Sequence, residues 1–127
     1  MVLPALKRGG YKVSTQVNIG NRISGGKHII DAIAKDANEG VYLISLKWQQ
    51  VGGTAEQKVP FEVMCLADSI LKSKAKHKKA YLILGGEGWT LRNFFVNGGL
   101  NKHLKYGNLV QIFTLESFIA KANKGAL

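Results

Sequence analysis

Two otherwise apolar stretches of this sequence carry a charge in their middle. In His28-Ile29-Ile30-Asp31-Ala32-Ile33 a carboxylate interrupts the run, and in Tyr42-Leu43-Ile44-Ser45-Leu46-Lys47-Trp48 an ammonium does. Both stretches are rich in β-branched and aromatic residues and read as strands. Strand alternation puts Ser45 and Lys47 on one face, and Ile44, Leu46 and Trp48 on the other. A carboxylate and an ammonium on neighbouring strands could form a plain buried ion pair, but such pairs are costly to desolvate and add little stability. The alternative is chemistry on a phosphodiester. A hard cation such as Mg²⁺ prefers carboxylates, backbone carbonyls and water. Once bound, it lowers the pKa of its water and neutralises charge building on phosphoryl oxygens. A nearby lysine can orient or deprotonate the attacking water and offset phosphate charge. An aspartate, then a strand carrying x-x-Lys, then a helix bringing further acids, suits that chemistry.

The elements that must position these side chains follow from the pattern on either side. Residues 3–7 read as the last turn of a helix, ended by Gly9 and Gly10. Tyr11, Val13, Thr15, Val17 and Ile19 alternate and predict a strand with one buried face. Residues 20–26 form a loop or hairpin turn, and residues 28–35 and 41–49 are the second and third strands, separated by the turn Asp36-Ala37-Asn38-Glu39-Gly40. Val51-Gly52-Gly53-Thr54 then leads into a helix whose apolar stripe is Phe61, Met64, Cys65, Leu66, Ala67, Ile70 and Leu71. Pro60 has no N–H to donate, so this helix begins close to it or kinks there. Residues 80–84 suit a buried strand, 90–96 a helix, 109–113 a strand, and 116–123 a closing helix stopped by Gly125. A three-strand meander followed by a βαβ unit predicts an α/β domain with a mixed central sheet flanked by helices on both faces.

Composition narrows the partners. Lys and Arg total 18 against 8 Asp and Glu, a net charge of +10, and such a surplus draws polyanions, though it can also serve solubility alone. Charge thus nominates nucleic acid, and by itself leaves room for an RNA-binding or ribosome-associated protein. The 127 residues, 46% of them hydrophobic, suit one domain spanning 1–127. No stretch approaches the roughly 18 apolar residues of a membrane helix, and MVLPALKRGG is too short and polar for a signal peptide. Cys65 is the lone cysteine; flanked by Val63, Met64 and Leu66, it reads as a small core residue. A reducing cytoplasm is the expected setting, a host cell's if the protein is phage-encoded.

His28, His77 and His103 show no paired ligand spacing and read as surface or DNA-contact residues rather than zinc ligands. Gly85-Gly86-Glu87-Gly88-Trp89 lacks the Lys-Ser/Thr of a phosphate-binding loop and reads as a strand-to-helix turn. The lysine-rich run at 72–79 could grip phosphates or simply suit a helix C-terminus. Asn21, Arg22 and Lys27, just before the acid-bearing strand, are expected nucleic-acid contacts, with Gln50 and Lys58 beyond the third strand.

Asp31, followed 14 positions later by Ser45-Leu46-Lys47, resembles the PD-(D/E)XK signature of restriction-endonuclease-like nucleases. The downstream segment from Trp48 to Glu62, with Gly53-Thr54-Ala55-Glu56-Gln57-Lys58-Val59-Pro60 at its heart, resembles the G-T-A-(D/E)-x-K-(I/V)-P stretch that follows the catalytic strand in some restriction enzymes. The resemblance covers roughly residues 3–85. It implies an αβββαβ core and a Mg²⁺-dependent DNA endonuclease in which Mn²⁺ substitutes. Asp31, the Leu46 carbonyl and a helix glutamate would bind metal, and Lys47 would orient the water. Since a duplex needs two cuts, a homodimer or tetramer is expected. Ser45 departs from the pattern by replacing the second acid, and no glutamate stands in the first helix. Some members with Ser or Thr there recruit a glutamate from the following helix. Glu56, nine residues after Lys47, and Glu62, fifteen after, are the candidates. Glu62 is nearer the spacing of those variant families; Glu56 is expected closer to the strand ends and is preferred. Either could also be an ordinary acid favoured at a helix N-terminus. The expected catalytic set is therefore Asp31, Ser45, Lys47 and Glu56, and the metal set Asp31, Leu46, Glu56 and Glu62. The alternative is a catalytically inactive nucleic-acid-binding module of the same fold.

Overall fold

The computed structural model describes residues 1–52, 55–74 and 76–127. Gly53 and Thr54 of the glycine-threonine segment, and Ala75 of the lysine run, lie outside the described residues. Helix α1 (Val2–Arg8) leads into strands β1 (Lys12–Asn21), β2 (Lys27–Lys35) and β3 (Val41–Trp48), an antiparallel meander. Helix α2 (Ala55–Lys72) crosses to β4 (His77–Gly85), parallel to β3. Helix α3 (Arg92–Val96) and two 3-10 turns then lead to β5 (Val110–Thr114), parallel to β4, and to helix α4 (Leu115–Asn123). The strands lie in the sheet in the order β1-β2-β3-β4-β5. This is the α/β architecture with a mixed sheet that the sequence predicts.

Each face of the sheet carries its own core. Val59, Val63, Leu66 and Ile70 recur at helical spacing along α2 and pack on Leu43, Leu82 and Leu84. On the other face Ala5 and Leu6 of α1 and Phe118 and Ala122 of α4 pack on Tyr42, Ile44, Tyr81 and Ile83. Most of β3 and β4 is buried on both faces, which is why those strands read as continuous apolar runs. Edge strand β1 is at most half-buried along its length. Among the described residues no helix is long and apolar enough to cross a membrane.

Several elements differ from expectation. Strand β4 begins at His77 rather than Ala80 and takes the end of the lysine-rich run into the sheet. Helix α2 starts at Ala55, well before Pro60; the proline has no N–H for the Glu56 carbonyl, an interruption that is mild this near the helix start. Strand β1 continues to Asn21, so the hairpin loop is shorter than the sequence suggests. The 3-10 turns Gly99–Lys102 and Gly107–Leu109 fall where the sequence shows no period.

One irregularity shapes the site. The β2–β3 turn is fastened by Asp36, whose Oδ1 accepts from the backbone N–H groups of Gly40 (2.7 Å) and Asn38 (2.9 Å). From there β2 and β3 pair only from Lys35–Val41 to Ala32–Ile44. Beyond that point β2 stays with β1, while β3 stays with β4 as far as Trp48–Gly85. The sheet forks at Asp31. Opposite the fork, between the pairs Thr15–Ala32 and Val17–Ile30, Gln16 adopts a left-handed φ of 51°, uncommon for a residue with a Cβ. Side chains change face across it. Val13, Ala32 and Ala34 pack under α1 and α4, whereas Ile19 and Ile30, of the same parity, pack under α2. A half-turn of phase sends every later side chain to the opposite face, and so His28 points at α2.

Candidate active site

Where the ladder opens, side chains replace strand partners. The backbone N–H of Leu46 donates to Asp31 Oδ2 at 2.7 Å, in place of a bond to β2. A strand residue directs its N–H and C=O to the same edge, so the Leu46 carbonyl also faces the fork. Asp31 is solvent-exposed there. Among the described residues it forms no ion pair with Lys47, so the plain buried pair is not what these charges make.

On the α2 side of β3, Glu62 is 6% exposed and reaches the neighbouring residues. Ser45 Oγ donates to its Oε2 at 2.8 Å, His28 Nε2 donates to its Oε1 at 2.9 Å, and Lys47 Nζ lies 3.7 Å from Oε2. Burial alone would raise the pKa of this carboxyl. The hydrogen bonds from His28 and Ser45, with the charge of Lys47 and His28, outweigh burial and hold it at about 2. Ser45 and Lys47 thus share a face, and a carboxylate stands beside them that β3 itself does not supply.

Glu56, the acid preferred from sequence, is engaged elsewhere. Its carboxylate accepts from the backbone N–H and hydroxyl of Thr90, and from the Leu91 N–H at 3.4 Å. Burial again pushes its pKa up, but the bonds from Thr90, Leu91 and Gln49 bring it below the ordinary value. The reason is helical phase. At about 100° per residue, six positions leave Glu56 and Glu62 roughly 120° apart around α2, and the stripe formed by Val59, Val63 and Leu66 turns Glu62 toward β3. Glu56 fastens the connection between β4 and α3 to the start of α2. Replacing Glu56 with Ala is therefore expected to lower the melting temperature while leaving Mn²⁺ affinity unchanged. A loss of Mn²⁺ affinity in that variant, measured by calorimetric titration, would return Glu56 to the metal set.

The histidines divide three ways. His28 is not at the surface but 1% exposed, pressed against Glu62; nothing local signals this, since its partner lies 34 residues on. His77 is half-buried and its pKa is lowered by burial, while His103 is exposed. Cys65 is buried, as expected of a core residue, and burial pushes its thiol up. Asn21, Lys27, Gln50 and Lys58 are exposed; Arg22 is half-buried and donates from Nη1 to the Lys27 carbonyl at 3.2 Å across the hairpin turn. Asn21 shares a hollow with Lys72 and His77, which brings the hairpin beside the lysine-rich end of α2. Lys72 itself pairs with Asp68 at 2.8 Å.

Among the described residues no three His, Cys, Asp or Glu side chains cluster to hold a metal. Beside the fork β3 carries one carboxylate at the Leu46 N–H and another at the Ser45 hydroxyl, and the Leu46 carbonyl faces the opening. That set is too sparse and too hard for a zinc site, but suits Mg²⁺, which takes one or two carboxylates and keeps several waters.

None of the curated proteins matches this chain. A crystal structure described as "Protein of Unknown Function AF1548" shares the fold, with a TM-score of 0.52 at 15% identity. The match covers 90% of this chain and 54% of that one, so this chain spans about half the length of its structural relative. A family model described as a PD-(D/E)XK nuclease superfamily domain matches residues 1–126, reaching well past the segment in which the motif lies. With that match over nearly the whole sequence, and a mixed five-stranded sheet of the restriction-endonuclease-like kind, the chain belongs to the PD-(D/E)XK nuclease superfamily.

Proposed function

We propose that this chain is a Mg²⁺-dependent DNA endonuclease, with Mn²⁺ able to substitute, that hydrolyses phosphodiester bonds at the fork between β2 and β3. The observation that carries the reading is that two carboxylates bond to consecutive residues of β3, Asp31 to the Leu46 N–H and Glu62 to the Ser45 hydroxyl, with Lys47 beside Glu62. Asp31, Glu62 and the Leu46 carbonyl would hold the cation. When bound, it supplies an acidified water and neutralises charge on the phosphoryl oxygens.

The chain's own residues do the rest. Ser45 and His28 each occupy one oxygen of Glu62 and fix its orientation, leaving lone pairs free on both. The Lys47 ammonium is part-exposed and carries three donors. With one turned to Glu62, the others can hold the attacking water or a phosphate oxygen. Arg22, Lys27 and Asn21 at the hairpin, with the exposed Gln50 and Lys58, would grip the DNA backbone. The acid arriving from α2 favours this reading over an inactive binding module, because Ser45 holds a carboxylate instead of merely lacking one. Cutting both strands would need two copies of this single site.

The test is nicking of supercoiled plasmid by the purified protein. Cleavage is expected with Mg²⁺ or Mn²⁺ and should stop in EDTA. Binding should weaken steeply as salt rises, because phosphate contacts release counterions. A protein that binds DNA but nicks nothing with either cation would be the binding module instead.

A further inference from the structure

Trp48 stands one residue past Lys47 on the opposite face of β3, and it is 58% exposed. Exposure climbs along that face past the fork: Ile44 is buried, Leu46 half-buried, Trp48 open. Isolated exposed apolar residues are common and mean little. This one is held in place. A Cβ on Gly85, its partner in β4, would collide with Trp48 Cε3 and Cζ3, so the glycine admits the indole against the strand.

The following segment is fixed in the same way. Gln49 N donates to the Gly85 carbonyl (3.0 Å), Gly88 N to the Gln49 carbonyl (2.8 Å), and Gln49 Nε2 to the Gly88 carbonyl (2.7 Å). Gly86 and Gly88 lie against the backbones of Gln49 and Val51 with no room for a side chain. The glycines that make no phosphate-binding loop instead bring two backbones together. They leave a largely exposed indole braced against β4, on the face of β3 that carries Leu46, whose backbone N–H holds Asp31.

We propose that Trp48 is a stacking platform for an unpaired base adjoining the scissile phosphate, so that the favoured substrate is DNA with single-stranded character at the cut, such as a flap or splayed junction. The proposal rests on the nuclease reading for the position of the cut. In continuous duplex both faces of each base are already stacked; an unpaired base offers a free π-face, and the net charge of +10 draws its backbone.

The two tryptophans make the test direct. Trp89 is 5% exposed, its Nε1–H bound to the Gly85 carbonyl at 2.7 Å, so ligand contact is read chiefly at Trp48. Oligo(dT) titrated into the wild-type protein in EDTA, where nothing is cut, should quench tryptophan fluorescence. Trp48→Leu should abolish the quench and weaken oligo(dT) and flap binding about tenfold, with duplex affinity nearly unchanged. Trp48→Tyr, which keeps a ring, should retain most of the affinity and guards against a leucine variant that fails to fold. The proposal is overturned if oligo(dT) does not quench the wild type, or if Trp48→Leu weakens duplex and single strand equally. It is also overturned if that variant splits a dimer in sedimentation, since a second copy would then cover the ring. Cleavage without a quench sinks the stacking role alone; a quench with no cleavage of either plasmid or flap DNA sinks the nuclease reading and leaves Trp48 as a binding platform only.

Discussion

Lys47→Ala and Asp31→Asn are each expected to stop plasmid nicking, lowering the single-turnover rate at least about a hundredfold, while the fold and most DNA affinity survive. Among the described residues Asp31 accepts a backbone hydrogen bond from Leu46, and it is exposed. Asparagine keeps an acceptor for that N–H and removes only the charge, so a loss of cleavage would report on metal binding rather than on the fork. Lys47 has its ion-pair contact with Glu62 at 3.7 Å and is part-exposed, where an ion pair contributes little to stability. The two variants should differ in a second measurement. Asp31→Asn should weaken Mn²⁺ binding, whereas Lys47→Ala should leave it near wild type, because an ammonium orients water but ligates no cation. Near-normal nicking by either variant would place the chemistry elsewhere on the molecule.

The sequence speaks clearly for strands and faces, and poorly for long-range partners. The interrupted apolar runs locate Asp31 and Lys47, and simple alternation puts Ser45 on the same face as Lys47. Which helix acid meets them depends on where α2 starts and how it is rotated. Pro60 hides the start, and the rotation is set by Val59, Val63 and Leu66 seating on the sheet. The change of face at Gln16 is invisible for a different reason. Tyr11, Val13, Thr15, Val17 and Ile19 keep their alternation straight through it, and a left-handed φ at glutamine leaves no mark in a hydropathy pattern. Without that change, His28 would be read on the face away from Glu62. The glycines at 85, 86 and 88 were likewise legible as a turn, but their use, close passage of one backbone over another, requires knowing what passes.

The sharpest test of how the missing motif acid is replaced lies in exchanging it with Ser45. Glu62→Gln should weaken Mn²⁺ affinity and stop cleavage, because the charge leaves while the amide can still accept from Ser45. It should also cost stability in the metal-free protein. The Glu62 carboxyl sits at about 2 in the fold against an ordinary 4.5, which corresponds to about 3 kcal/mol. Because the folded value is the depressed one, this stabilisation is fully present above pH 4.5 and fades as pH falls toward 2. Urea denaturation at pH 7 should therefore separate wild type from Glu62→Gln, and the gap should narrow at pH 3. Ser45→Glu alone is expected to harm the protein. Position 45 is 2% exposed and its Oγ already lies 2.8 Å from Glu62, so a second carboxylate would meet the first in a buried space, where one of them must take up a proton. The double variant Ser45→Glu/Glu62→Ser removes that conflict. It returns one acid to the fork from β3 and restores a hydroxyl opposite. Its effects should be far from additive, recovering part of the Mn²⁺ affinity and cleavage that each single change loses, as expected for two groups in direct contact. If the double variant is no better than Glu62→Gln, the acid on α2 is not standing in for the one that β3 lacks, and Glu62 serves to anchor His28 and Ser45.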